Sequence, residues 1–246
     1  MHVHDVHVHV PLAVPGSAVW PGTCSSTPAT TTMLRVVFTN LIFLASALHC
    51  AHAEDDLDGI VPDVLPAVTD IMDMDVAWGD LSLGQGHSGI TLKPSQVHDM
   101  PEVEFVAQDE TDFYTLMVVD PDAPSRADPK FREWVHWVTV NIQGSDVRTG
   151  EDLFGYVGAG PPKGTGLHRY VFLLYRQPYG QIEFNEKKLG CGQDTAASRG
   201  KFSATEFARK YNLGDPYAVK FFKAEYDEGS DNIWNACASG NSHSEL

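Results

Sequence analysis

At 246 residues the chain has room for one ordinary domain plus extensions, and its 43% hydrophobic content is enough for a normal packed core. A formal net charge of -16 excludes nucleic acid as the main partner, because phosphate backbones are met by Lys and Arg; it also disfavours adhesion to anionic membranes. Such an acidic surface means solubility, and it does not exclude one small anion held in a local pocket.

Residues 1–32 read as a leader outside the fold. His2, His4, His7 and His9 are spaced through a Val-rich stretch, and Pro, Ser and Thr then dominate. A metal-binding tract is one reading; an unstructured leader, or a start assigned too far upstream, is the plainer one. From Met33 the pattern is that of a secretory signal peptide: Arg35, an apolar run from Val36 to Leu48, and Ala51-His52-Ala53 ahead of acidic Glu54-Asp55-Asp56. The run is short of the roughly 20 residues that span a bilayer. A secreted protein starting near Glu54 is expected, with no stable membrane insertion. Cleavage would remove Cys24 and Cys50 and leave Cys191 and Cys237, which an oxidising compartment allows to pair.

Within the mature part, residues 60–68 read as a short helix or turn broken by Pro62 and Pro66. From Val76, short apolar runs alternate with Gly and Pro punctuation, which predicts short strands and an all-β sandwich or barrel-like domain. Two strands are long. Trp134–Ile142, with its period of two, places Trp134, His136, Val138, Val140 and Ile142 on one face. His168–Tyr175 is apolar on both faces and is expected to be central. Ser203-Ala-Thr-Glu206 is a capping box, with Phe202 and Phe207 at staple positions, and predicts a helix over about 204–211. The tail from Glu228 is acidic, then Ser/Asn-rich, with Trp234 available as an anchor.

Chemistry concentrates at two strand ends. Asp120 closes the run Tyr114–Val119, and Pro121, Asp122 and Pro124 stiffen the turn after it. Alone this is an Asp-Pro turn. Its company is His136, on an otherwise apolar face, and His168 with Tyr170, directly after the Gly/Pro loop 158–166. Two histidines near strand ends, with an Asp and a Tyr available, point to a polar cavity. The loop can turn N–H groups toward an anion, but it is neither a P-loop nor a dinucleotide fingerprint, and it leads into a strand. There is no nucleophile elbow and no zinc-protease helix motif. His136, His168 and Asp120 imitate a two-His-one-carboxylate set, yet no spacing demands a metal. No enzyme activity, cofactor or metal is expected.

DPDAPSR (Asp120–Arg126), REW-x-H (Arg132–His136), GPPKGTGLHRY (Gly160–Tyr170) and RGKF (Arg199–Phe202) together resemble the phosphatidylethanolamine-binding protein family, over roughly Val76 to Tyr226. The DPDAPSR form is similar to the animal branch. The resemblance implies a mainly β fold, a Greek-key β-sandwich with a few short peripheral helices, and a small anion pocket at one end of the central sheet. It carries pocket roles to Asp120, Pro124, His136, Gly160, Pro161, His168 and Tyr170. It also implies cis peptide bonds at Ala123-Pro124 and Arg132-Glu133. Phe222 stands where the family usually has another pocket Tyr, and Phe131 where many animal members have Tyr, so each lacks a hydroxyl donor.

The function implied is a monomeric, secreted binder of a phospholipid headgroup or other small phosphate-type anion. Tyr170 and loop N–H groups donate to its oxygens, His168 and His136 donate when protonated, and Asp120 orients an imidazole or meets an ammonium. Affinity would then fall as pH rises through about 6.5. Competing readings are an extracellular protease inhibitor or signalling-regulator module, and a carrier of odorants or other apolar ligands, which needs a deep apolar cavity.

Overall fold

Nine strands organise the described residues of the computed structural model, which are 57–84, 87–190 and 196–233. Residues 1–32 and 33–53, read from the sequence as a leader and a signal peptide, lie outside them, as do Cys191, Cys237 and Trp234. The strands are β1 (Met74–Trp78), β2 (Leu81–Ser82), β3 (Thr91–Leu92), β4 (Glu102–Phe105), β5 (Phe113–Asp120), β6 (Trp134–Gln143), β7 (Glu151–Phe154), β8 (His168–Gln177) and β9 (Ala218–Ala224). A three-stranded sheet has the order β2-β1-β4. A six-stranded sheet has the order β3-β9-β8-β5-β6-β7, antiparallel throughout except for β3 beside β9.

Alternation explains the layers. Met74, Val76, Val103 and Phe105 of the small sheet pack against Leu116, Val118, Phe172 and Leu174 of the large one. The other face of the large sheet buries Met117, Val119, Val171 and Leu173 under two covers, the segment Leu57–Leu65 and the helix at Phe207 and Ala208. Each fully buried side chain of this size is worth about 1.5–3 kcal/mol. Strand β8 is buried on both faces and central, as its two apolar faces predict. Residues 60–68 form turns, not a helix, with Ile60 and Leu65 as their buried anchors.

Strand β6 departs from a strict period of two. Val118 pairs with Trp137 and Val119 with Val135, so His136 is an extra residue opposite no partner. A second irregularity follows near Asn141, whose φ is +57°. Trp137 and Ile142 therefore join the core between the sheets, whereas Val135, Val138 and Val140 join the opposite layer. The single face expected for Trp134, His136, Val138, Val140 and Ile142 does not exist. The bulge re-aims His136 to the side of Tyr170, and bulges beside functional sites serve this use.

Two short helices follow, α1 (Ala196–Arg199) and α2 (Ala204–Lys210). Ser203 Oγ accepts from Glu206 N–H at 3.2 Å, and Phe202 meets Phe207 at 5.7 Å between ring centroids. Only half of the predicted capping box forms, because the Glu206 carboxylate turns to Arg209 at 2.6 Å. No helix among the described residues is long and apolar enough to cross a membrane.

Candidate functional site

The register of the large sheet brings the predicted residues to one end. Tyr170 of β8 pairs with Phe222 of β9, Val171 pairs with Val119 of β5, and Asp120 pairs with Trp134 of β6. Asp120 therefore lies next to Tyr170 across the strands, and His168 and His136 sit two residues along from that row. Asp120 Oδ2 accepts from His168 Nδ1 at 2.7 Å, and Asp120 Oδ1 accepts from Asp122 N–H at 2.7 Å. Both carboxylate oxygens are thus engaged inside the protein, and the carboxylate orients His168. Burial raises the Asp120 pKa against the lowering pull of His168.

His136 Nδ1 lies 2.8 Å from the Val157 carbonyl. Its ring meets Trp134 at 4.4 Å and Tyr170 edge-on at 5.0 Å. Burial drives its pKa down to about 3, and the charges of Arg199 and His168 add to this against hydrogen bonding to the Val157 and Gly158 backbone. The expectation that His136 donates as an imidazolium is corrected: the buried ring is neutral. Burial, then the Asp120 charge, raise the Tyr170 pKa well above the usual phenol range, so its hydroxyl remains a donor.

The Gly/Pro loop closes the site from β7 to β8. Ala123-Pro124 and Arg132-Glu133 are cis, as the resemblance implies. Pro124 is half-buried and Pro161 is buried. A Cβ on Gly160 would meet Ile233 at 2.5 Å, so only glycine lets the loop close here. Gly164 and Gly166, with φ of +80° and +77°, flank Thr165. The Thr165 hydroxyl donates to the Pro162 carbonyl at 2.7 Å and lies 2.9 Å from His168 Nε2. Thr165 is a contact that sequence reasoning misses, although its place between two glycines is a legible turn signal.

Phe222 is not a lining polar group. It is buried and stacks on Tyr170 at 4.9 Å and 13°, so it backs the tyrosine ring from the core. Phe131 packs against the small apolar cluster of Ala123, Trp134, Val157 and Ile233. Arg199 of the RGKF segment is buried and donates to the carbonyls of Val135 and His136, each at 3.2 Å, which holds the bulge in place. Among the described residues, no group of three or more His, Cys, Asp and Glu side chains could hold a metal.

A profile of the phosphatidylethanolamine-binding protein family matches residues 82–222. The chain belongs to this family. Relatives extend the family match. The Drosophila melanogaster protein named "Putative odorant-binding protein A5" is 36% identical over 140 residues, 57% of this chain and 65% of its own length. The chain thus spans just under two-thirds of that relative. The solution structure of CG7054 is 40% identical with a TM-score of 0.58, covering 72% of this chain and 97% of that one. The carboxypeptidase Y inhibitor, crystallised with its cognate proteinase, is 26% identical with a TM-score of 0.59, covering 70% of this chain and 94% of that one.

Proposed function

We propose that this family member is a secreted binding protein for a phospholipid headgroup or other small phosphate-type anion, taken at the β5/β8 end of the large sheet. The observation that carries the reading is the buried pair Asp120 Oδ2–His168 Nδ1 at 2.7 Å, set beside the Tyr170 hydroxyl. This carboxylate has both oxygens taken up inside the protein, and it fixes the imidazole next to it. Tyr170 adds a hydroxyl donor. The signal-peptide pattern of residues 33–53 supports secretion, and the lack of nucleophile and metal motifs supports binding rather than catalysis.

Calorimetric titration with phosphoethanolamine at pH 6 tests this. Wild type binds, and His168→Ala loses about tenfold in affinity, since it leaves the buried Asp120 carboxylate without its imidazole partner beside the anion and frees Thr165 from the ring. An unchanged affinity in the variant, with the fold intact by circular dichroism, removes His168 from the site. Likeness to the carboxypeptidase Y inhibitor favours extracellular protease inhibition as the second reading. Inhibition that survives in His168→Ala while headgroup binding is lost would place it on another surface.

A further inference from the structure

His136 is fixed by two hydrogen bonds to one residue. Its carbonyl accepts from Val157 N–H at 2.9 Å, and its Nδ1 faces the Val157 carbonyl at 2.8 Å. A carbonyl has no hydrogen to give, so Nδ1 carries the ring proton, and in a neutral ring Nε2 is then an acceptor. Among the described residues, Thr139 Oγ1 is the one fully buried polar side-chain atom without a partner. Nε2 is not such a fully buried, unpartnered atom, and it keeps some exposure toward the site. The charged and titratable groups around the ring come from three elements: Arg199 of α1 behind the bulge, Asp120 of β5, and His168 and Tyr170 of β8. Arg199 and His168 oppose a positive charge on the ring.

The site thus pairs an acceptor, His136 Nε2, with a neighbouring donor, the Tyr170 hydroxyl. A fully ionised phosphate meets the Nε2 lone pair with another lone pair, and its second charge falls beside Asp120. A group that carries a hydroxyl and an anionic oxygen on one central atom satisfies both. A monoprotonated phosphomonoester, RO–PO3H⁻, is such a group. A phosphodiester has no P–OH, and the ammonium of an ethanolamine headgroup lies two carbons from the phosphate. Building on the headgroup reading, we infer that His136 makes this site select phosphomonoester monoanions, with P–OH donated to Nε2, over dianions and phosphodiesters. The intact diester lipid is then the poorer ligand.

The test is calorimetric titration of the full chain from pH 5.5 to 8.5 with phosphoethanolamine, a monoester, and glycerophosphoethanolamine, a diester with the same ammonium. Ionisation of protein groups felt by both ligands cancels in the ratio of their affinities. That ratio favours the monoester at pH 5.5. It falls about tenfold per pH unit above the second phosphate pKa of about 6. In His136→Gln, whose amide can turn a donor to the ligand, the ratio flattens. A wild-type ratio constant with pH, tighter diester binding at pH 5.5, or a slope retained in the variant overturns the inference while leaving the headgroup reading in place. If neither ligand binds, both fall. Should the variant fail to fold, the wild-type ratio decides.

Discussion

Asp122 lies two residues beyond Asp120 and serves a different purpose. Its Oδ2 accepts from Arg169 N–H at 3.0 Å and from Arg169 Nε at 2.8 Å, and its Oδ1 from Arg169 Nη2 at 2.5 Å. Both side chains are almost fully buried, at 1% and 2% exposure. Arg169 reaches on to the Gly59 carbonyl and to Asp63 at 2.7 Å, so one guanidinium ties the turn after β5 to the segment covering the far face. Removing one partner of a buried pair leaves a charge unpaired and costs about 3–5 kcal/mol. Asp122→Asn should therefore lower stability toward the lower end of that range, because Asp63 still holds the guanidinium. Arg126→Ala, removing a 57% exposed partner 4.0 Å from Asp122, should change it by less than about 1 kcal/mol. Urea denaturation of both variants decides; equal midpoints would show that the buried pair is not a stabilising contact. From the sequence, Asp122 reads only as a turn former. Its partner lies 47 residues away, and that pairing depends on the antiparallel register of β5 and β8.

Elements differ in how much of them is local. Strand β8 is legible because both of its faces are apolar and nothing interrupts it. Strand β6 is equally apolar, but its bulge depends on the Arg199 guanidinium and the Val157 backbone, which lie elsewhere in the chain. His136, the residue aimed by that bulge, is therefore legible by type but not by face. Helix α2 lies between these cases. Ser203 and the Phe202–Phe207 staple are legible at the start, yet the reciprocal half of the capping box is lost to a competing arginine one turn on. Ser203→Ala should cost about 1 kcal/mol, the usual worth of an N-cap. Glu206→Gln should leave the urea midpoint nearly unchanged, because its carboxylate makes only an exposed contact to Arg209. A large loss in the second variant would mean that the Glu206–Arg209 pair is worth more than an ordinary exposed contact.

At the scale of the whole molecule, the buried site should set how stability responds to acid. His136 has a pKa near 6.5 when unfolded and about 3 in the fold, with burial as the main cause. Between those values the unfolded chain binds a proton that the native chain refuses, so stability rises with pH across the window. The contribution is complete above about pH 6.5 and is lost as pH falls toward 3, at up to about 1.4 kcal/mol per pH unit. Asp120 and Glu133 act with the opposite sign. Burial raises both, so they favour the fold while protonated and count against it as pH rises through their raised values. A chain of formal charge -16 also relieves self-repulsion as its carboxylates protonate. These other terms are shared by wild type and His136→Gln, and the lost Val157 hydrogen bond shifts the variant by a constant amount. The difference between the two proteins therefore isolates the imidazole. In urea denaturation at pH 4.5, 5.5 and 6.5, wild type should lose about 1.4 kcal/mol per unit more than the variant as pH falls. Parallel lines would mean that the folded ring takes up its proton as readily as the unfolded one. His136 would then be a donor to the ligand after all, and the choice of a protonated phosphate would lose its physical basis.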